Sequence, residues 1–573
     1  MKILFCLLII ITHLNLFCQV KAQNLPDFSS PIKIPLTLSG NFAELRQNHF
    51  HSGIDLRVRN PKDRTIYSPY EGEVSRIKIQ AFGGGKNLYI THPNGYTTVY
   101  MHLEKYSPKI EQFVREYQYT NQRYEFDIPV SKGKLRINKG EIIGIAGNTG
   151  SSAGVHLHFE VRNTKTENII NPQLMGFKVK DTIPPEIYSI NIYPEGDFSR
   201  IEGKNAKRKY NIAGKNKDIK QYDTIKVTNK VYLGIMAYDR SEGSTQRNGV
   251  YSYKLNVDKE LFWQFKIDEF SFDESRYINA CIDYEQYLNN KERYLITKHL
   301  PGNALPYFNT DNQNGIIQMQ QGQIKEIEYI LQDYSGNQTS FIFYLQSTIS
   351  SLIEYSNTDT SPKTFHNLYW NQDNQITYED INIRIPKNAL YDNIRVDFSK
   401  DTDSIGKINT YKILSNSPLH LNMNLSITIP EPLLKDEKLK QKLVIAQLKG
   451  RSLSYVGGKI INDKILANTK TFGHFTIALD TIAPKISPIN FKATKLKPNQ
   501  KTLKVKITDN LSGIKSYNAY INKQWVLMEY DGKNATLTYT IDTKELNQPS
   551  NTLKIVVKDR VGNTNQKEYV ILK

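Results

Sequence analysis

Six of the eleven histidines fall between residues 49 and 158: His49, His51, His92, His102, His156 and His158. Imidazole is the commonest metal ligand and the usual general acid or base near neutral pH. The segment Val155-His156-Leu157-His158-Phe159-Glu160-Val161 reads as an apolar-flanked strand. Residues two apart on a strand share a face, so both imidazoles can converge while Leu157 and Phe159 turn to a core. His51-Ser52-Gly53-Ile54-Asp55 offers a second pair whose even spacing also permits one face. Gly53 between them lets backbone or substrate come close. Two histidines and a carboxylate leave a coordination position open, which is the pattern of a catalytic zinc; structural zinc takes four ligands, commonly with cysteine. A lone His-x-His is more often the polar face of a strand, and a lone His-x-x-x-Asp is a weaker signal still. Their coincidence in one small domain, with a further histidine in Tyr100-Met101-His102-Leu103, favours a metal site. His92 precedes the turn Pro93-Asn94-Gly95 and reads as structural, while His49 could compete with His51 as a ligand.

Two glycine motifs carry no chemistry of their own. Gly150-Ser151-Ser152-Ala153-Gly154 matches a nucleophile elbow, but that motif needs a helix after the serine, and here a strand follows. Gly83-Gly84-Gly85-Lys86 lacks the spacing and the hydroxyl residue of a phosphate loop and reads as a turn between strands. There is no His-Glu-x-x-His helix.

The elements that must hold these residues are mostly strands. At roughly 150 residues per domain, 573 residues suggest about four domains. With 39% hydrophobic and 23% charged residues, the composition is globular. No glycine period, heptad run or series of long apolar segments supports collagen, coiled coil or a polytopic membrane protein. Thirty-six tyrosines against seven methionines lean towards strand. The net charge of +18 is spread along the chain rather than gathered in blocks, so it reads as solubility rather than as a nucleic-acid surface.

The N-terminus has the form of a signal peptide. Lys2 precedes an apolar run, Ile3 to Phe17, too short to span a bilayer. Val20-Lys21-Ala22 then offers a cleavage site, so 1–22 are expected to leave with Cys6 and Cys18. Phe17 is too bulky to precede a lipidated Cys18. Only Cys281 then remains, which excludes an intramolecular disulfide and a cysteine metal cage. No later segment reaches membrane length.

Further along, Asp181-Thr182-Ile183-Pro184-Pro185 recurs as Asp480-Thr481-Ile482-Ala483-Pro484, and Asp333-Tyr334-Ser335-Gly336-Asn337 as Asp559-Arg560-Val561-Gly562-Asn563. The first pair reads as linkers entering a new strand, the second as turns closing one. Period-two alternation at Val231, Leu233, Ile235 and Ala237, at Leu503, Val505 and Ile507, and at Leu553, Ile555 and Val557 predicts antiparallel strands. Residues 181–350 and 481–573 are therefore expected to be immunoglobulin-like β-sandwiches, and 351–480 a β-sandwich of less certain type. The one good helix should start at Ser107 as N-cap, with Pro108 next and Ile110, Phe113, Val114 and Tyr117 at helical spacing. The fold class is thus mostly β: an N-terminal antiparallel β-sheet domain, 23–180, with one inserted helix, followed by about three sandwich modules.

Residues from about 28 to 175 resemble the lysostaphin/LytM-type zinc metallopeptidases, which cut peptide cross-links in bacterial cell walls. The motifs run in the family's order: Phe50-His51-Ser52-Gly53-Ile54-Asp55, Glu71-Gly72-Glu73-Val74, Tyr89-Ile90-Thr91-His92-Pro93-Asn94-Gly95, Tyr100-Met101-His102-Leu103, Lys139-Gly140-Glu141, Gly147-Asn148-Thr149-Gly150 and Gly154-Val155-His156-Leu157-His158-Phe159-Glu160-Val161-Arg162. The resemblance implies zinc ligands at His51, Asp55 and His158, with catalytic histidines at His102 and His156. Glu160, on the face of His158, could orient its ring. Two departures stand out. Val155 replaces a common proline, and an insertion at roughly 104–137 should wall the substrate groove. The long β tail is similar to versions from Gram-negative bacteria of the Bacteroidetes type. The implied protein is an exported zinc metalloendopeptidase of the periplasm or envelope, a hydrolase acting on peptidoglycan through a zinc-activated water. The other readings are a zinc peptidase for envelope or secreted proteins, or a non-catalytic wall-binding scaffold. The β modules leave room for an envelope protein partner; no nucleic acid and no transmembrane segment are expected.

Overall fold

In the computed structural model the described residues are 28–214, 217–306, 308–310, 313–348, 364–402, 409–491, 496–497 and 499–572. The signal-peptide segment with Cys6 and Cys18, and the start of the third expected domain at 351–363, lie outside them. The fold is mostly β. The N-terminal domain contains β1 (Leu38–Gly40), β2 (Ile54–Arg57), β3 (Thr65–Tyr67), β4 (Gly72–Ile79), β5 (Lys86–Thr91), β6 (Tyr96–Met101) and β7 (Leu103–Tyr106). These are followed by β8 (Phe126–Pro129), β9 (Arg136–Ile137), β10 (Ile142–Ala146), β11 (His156–Asn163) and β12 (Ile169–Ile170). The main sheet runs β1-β2-β11-β6-β5-β4-β8, and β3-β10-β7 form a small second sheet. Strand β11 is central, antiparallel to both β2 and β6. Its core face carries Leu157, Phe159 and Val161, all fully buried. Leu157→Ala would leave a cavity beneath the two histidines, with an expected cost of roughly 2–5 kcal/mol, read as a lower midpoint for this domain in denaturant unfolding.

Helix α1 (Pro108–Asn121) starts where the sequence predicts, after Ser107. Ser107 has extended backbone but its side chain makes no capping hydrogen bond. Ile110 and Val114 are buried. The helix does not wall the groove as expected. Its far end meets the C-terminal module, where the Tyr119 ring stands edge-on to Trp525 at 5.3 Å and the Tyr119 hydroxyl donates to Glu545 at 2.7 Å.

Each expected β module has two sheets. Between Glu186 and Ser347 lie a five-stranded and a seven-stranded sheet; between Thr364 and Leu479, a six- and a five-stranded one; between Lys485 and Leu572, two of four strands. Val231, Leu233 and Ile235 are buried, as are Leu503, Val505, Ile507, Leu553, Ile555 and Val557, so the period-two pattern reports real faces. Among the described residues one pairing departs from the antiparallel expectation: Thr224–Thr228 runs parallel to the Tyr344–Ser347 stretch. The first module is not separate from the N-terminal domain. Strand β12 pairs with Glu269–Phe270, and Phe270 packs on Phe42 and Phe50 at 5.3 and 5.8 Å. Both units share one hydrophobic core, while the later modules have their own. Among the described residues no helix is long and apolar enough to cross a membrane.

Candidate metal centre

Three neighbouring strands deliver the site. Asp55 on β2 lies directly across from His158 on β11, and His158 in turn faces Met101 at the end of β6. His102 follows at a kink, with a left-handed φ of 63°. His51 comes from the loop before β2. There Gly53 is required: a Cβ would sit 2.3 Å from the Phe159 carbonyl oxygen, so the glycine allows the loop to lie against β11.

His51 Nε2 and His158 Nδ1 lie 3.1 and 2.9 Å from the same oxygen, Asp55 Oδ1, and 3.1 Å from each other. All three side chains are buried. The remaining nitrogen of each ring faces an acceptor. His51 Nδ1 donates to the Asn41 carbonyl at 2.7 Å, and His158 Nε2 donates to Glu160 at 3.0 Å. These bonds place the protons on the outer nitrogens and leave two lone pairs and a carboxylate oxygen directed at one point. Three acceptors so close repel one another unless a cation lies between them, so the donor set fits a divalent metal. The outer oxygen of Asp55 accepts from Arg46 Nη2 at 3.2 Å, which fixes which oxygen turns inward.

Without a metal, a proton takes that place: the ring nitrogens then donate to the carboxylates, and each charge supports the other. Burial opposes ionisation of Asp55, but His51, His156 and His158 outweigh it and hold the carboxyl well below the usual range. Burial likewise opposes the charge on Glu160, yet Arg162, bonded to it at 2.7 Å, and His158 pull it down to about 2. For His158, burial is overcome by Asp55 and Glu160, which raise it to about 9. Glu160→Gln keeps an acceptor for the ring but removes the charge. It is expected to weaken metal affinity by about 10-fold, the lower end of what such supporting contacts contribute, in a competition titration with a chromogenic chelator.

His156 and His102 stand beside this centre. Their rings are 4.9 Å apart, and that of His102 is 6.1 Å from His158. His102 Nδ1 donates to the Thr149 carbonyl at 2.9 Å and His156 Nδ1 to that of Gly154 at 2.9 Å, leaving both Nε2 atoms for the site. His156 Nε2 is 3.4 Å from Asp55 Oδ1. Burial, then the charges of His158 and His156, push His102 down to about 3. All five residues line an open cleft of about 880 Å³. The other two histidines of the cluster stay out of the centre. His92 is buried with both nitrogens bonded, to Glu71 and Thr98, so it is structural. His49 reaches the cleft but is exposed and bonds Gln47.

Residues 49–122 match the model of peptidase family M23. The chain carries an M23 peptidase domain. Beside this domain, residues 366–480 match a Zu5-like domain. An uncharacterized metalloprotease of Haemophilus influenzae is 32% identical over 127 residues, which are 22% of this chain and 22% of that protein. The peptidoglycan DD-endopeptidase ShyB of Vibrio cholerae is 32% identical over 111 residues, 19% of this chain and 20% of its own. A solved zinc containing peptidase from Vibrio cholerae is 26% identical, with 24% of this chain and 36% of that one covered and a TM-score of 0.18. The chain thus spans about a fifth of the length of these curated relatives.

Sequence reasoning missed Asn41, Arg46 and Thr149, which aim the histidines and Asp55 of the M23 domain. Two of them act through backbone carbonyls, which leave no residue signature. It also missed the rim contacts from other modules. Gln246 of the first β module lines the cleft. Lys533 of the C-terminal module donates to the carbonyls of Asn148 and of Ser152, the latter at 2.9 Å. The nearly buried Lys86 pairs with Glu529 at 3.0 Å.

Proposed function

We propose that the protein is an exported zinc metalloendopeptidase that hydrolyses peptide cross-links of bacterial peptidoglycan. The observation that carries this reading is the convergence of His51 Nε2, Asp55 Oδ1 and His158 Nδ1 on one point in an open cleft, with two further histidines at hand. Those three residues would hold zinc. Zinc bound there supplies Lewis-acid polarisation of a carbonyl and acidifies water. The chain's own residues do the rest. His102 and His156 each have one ring nitrogen fixed by a backbone carbonyl, so their Nε2 atoms are preset to accept a proton and to hydrogen-bond developing negative charge. Arg46 and Glu160 keep Asp55 and His158 from turning away. The cleft is open and edged by Gly83, Gly84 and Gly154, which suits an extended peptide better than a small ligand.

The wall is favoured as substrate because relatives of the domain are named peptidoglycan endopeptidases. Export rests on the apolar run Ile3–Phe17 and the small residue Ala22. The three two-sheet units are read as sandwich modules, those at 181–350 and 481–573 of immunoglobulin-like type. Dye-labelled, purified peptidoglycan and a denatured protein should be offered side by side to the zinc-loaded chain. Chelator-sensitive release from the wall is expected; release from the protein alone would overturn the substrate assignment.

A further inference from the structure

Two clusters of carboxylates outside the M23 cleft repeat one arrangement. Asp181, Asp239 and Asp333 place carboxylate oxygens within 4.8 Å of one another, and so do Asp480, Asp509 and Asp559. In each, one aspartate lies in the repeated linker and the other two come from opposite sheets of the following module. Asp239 follows Lys230–Tyr238 and Asp333 follows Ile324–Gln332; Asp509 follows Thr502–Thr508 and Asp559 ends Ser550–Asp559. The same geometry holds the linker in both places. Asn337 Nδ2 donates to Asp333 at 2.7 Å and to the Asp181 carbonyl at 3.2 Å; Asn563 Nδ2 donates to Asp559 at 2.7 Å and to the Asp480 carbonyl at 2.8 Å.

These bonds alone would make two well-built turns. What points to a ligand is the set of oxygens left over. Asp239 is 6% exposed and Asp480 is fully buried, yet Oδ1 of each has no hydrogen-bond partner. Asp509 Oδ1 is a third such atom. Among the described residues none of the six carboxylates forms an ion pair with lysine or arginine, although the chain carries an excess of both. A buried carboxylate oxygen without a donor costs several kcal/mol, and grouping three carboxylates adds repulsion. A cation bound through oxygen would supply the missing partner at both places.

We propose that each cluster is a binding site for a calcium-type divalent cation that ties the linker to both sheets of the module it enters. Calcium accepts many oxygen ligands in flexible geometry, and soft metals are disfavoured because no nitrogen or sulfur ligand belongs to either group. The first ion would fix the M23 domain to its neighbouring module and the second would fix the last two modules.

The full-length, zinc-loaded protein should be dialysed against about 1 mM calcium, the upper range for extracellular modules, and its bound calcium measured by elemental analysis. About two calcium ions per chain are expected, with zinc content unchanged, and a rise in the thermal midpoint that a calcium chelator reverses. Asp239→Asn and Asp480→Asn should each lose about one ion, and the double variant both. Absence of bound calcium in the wild type overturns the proposal without recourse to any variant. So does a double variant that binds as much as wild type, since the ions would then lie elsewhere.

Discussion

His158→Ala is expected to release the metal and to abolish hydrolysis. His158 supplies one of three donor atoms, and its Nδ1 lies within 3.1 Å of both others. The imidazole is also one of the groups that Glu160 bonds, so its loss takes a charged partner from a fully buried carboxylate and leaves it Arg162 and Ser52. Removing a supporting hydrogen bond costs about 10–100-fold in metal affinity, and removing a ligand exceeds that. Asp55→Ala should act in the same way and in addition leave Arg46 with Glu44 in place of its Asp55 partner. Neither change touches Leu157 or Phe159 in the core below, so far-UV circular dichroism should stay close to wild type. Metal content after dialysis reads the outcome. A His158→Ala protein that retains stoichiometric zinc would refute the ligand set.

The second large effect separates holding the metal from using it. His102→Ala and His156→Ala are expected to keep zinc and lose about 10²–10⁴-fold in turnover, the range for a positioned proton-transfer group. Neither ring belongs to the three-atom convergence, and each is anchored instead by a backbone carbonyl. His102 needs a second variant, because its left-handed backbone disfavours alanine. His102→Asn tolerates that conformation, so a rate loss shared by both variants reports chemistry rather than strain. Normal turnover in either histidine variant with zinc in place would remove that residue from the mechanism.

The local part of this site was legible in the sequence. His156 and His158 share a strand face with Leu157 and Phe159 beneath because a strand alternates, and the spacing displays that directly. The placement of His51 and Asp55 beside them needed the family resemblance, since spacing alone could not bring β2 against β11. Arg46 gave no signal because its role depends on a contact across a loop. The carbonyls of Asn41 and Thr149 gave none because any residue has one. The insertion carrying α1 was placed correctly as a helix from Ser107 and Pro108. Its partner, Trp525, lies some four hundred residues away, and no local pattern encodes that, which is why the groove wall was misassigned. For the same reason the boundary near residue 181 read as a clean linker, although Phe42, Phe50 and Phe270 bury a common core across it.

The most direct test of the account is mass analysis of cross-linked muropeptide dimers from purified peptidoglycan, before and after incubation with the mature chain, with zinc and with a chelator. Loss of dimers and a matching gain of monomers with zinc, reversed by chelation and absent in Asp55→Ala, is the predicted result. Dimers that persist with the zinc-loaded chain, or that disappear equally with the chelator or in Asp55→Ala, would contradict a zinc endopeptidase of the wall centred on His51, Asp55 and His158.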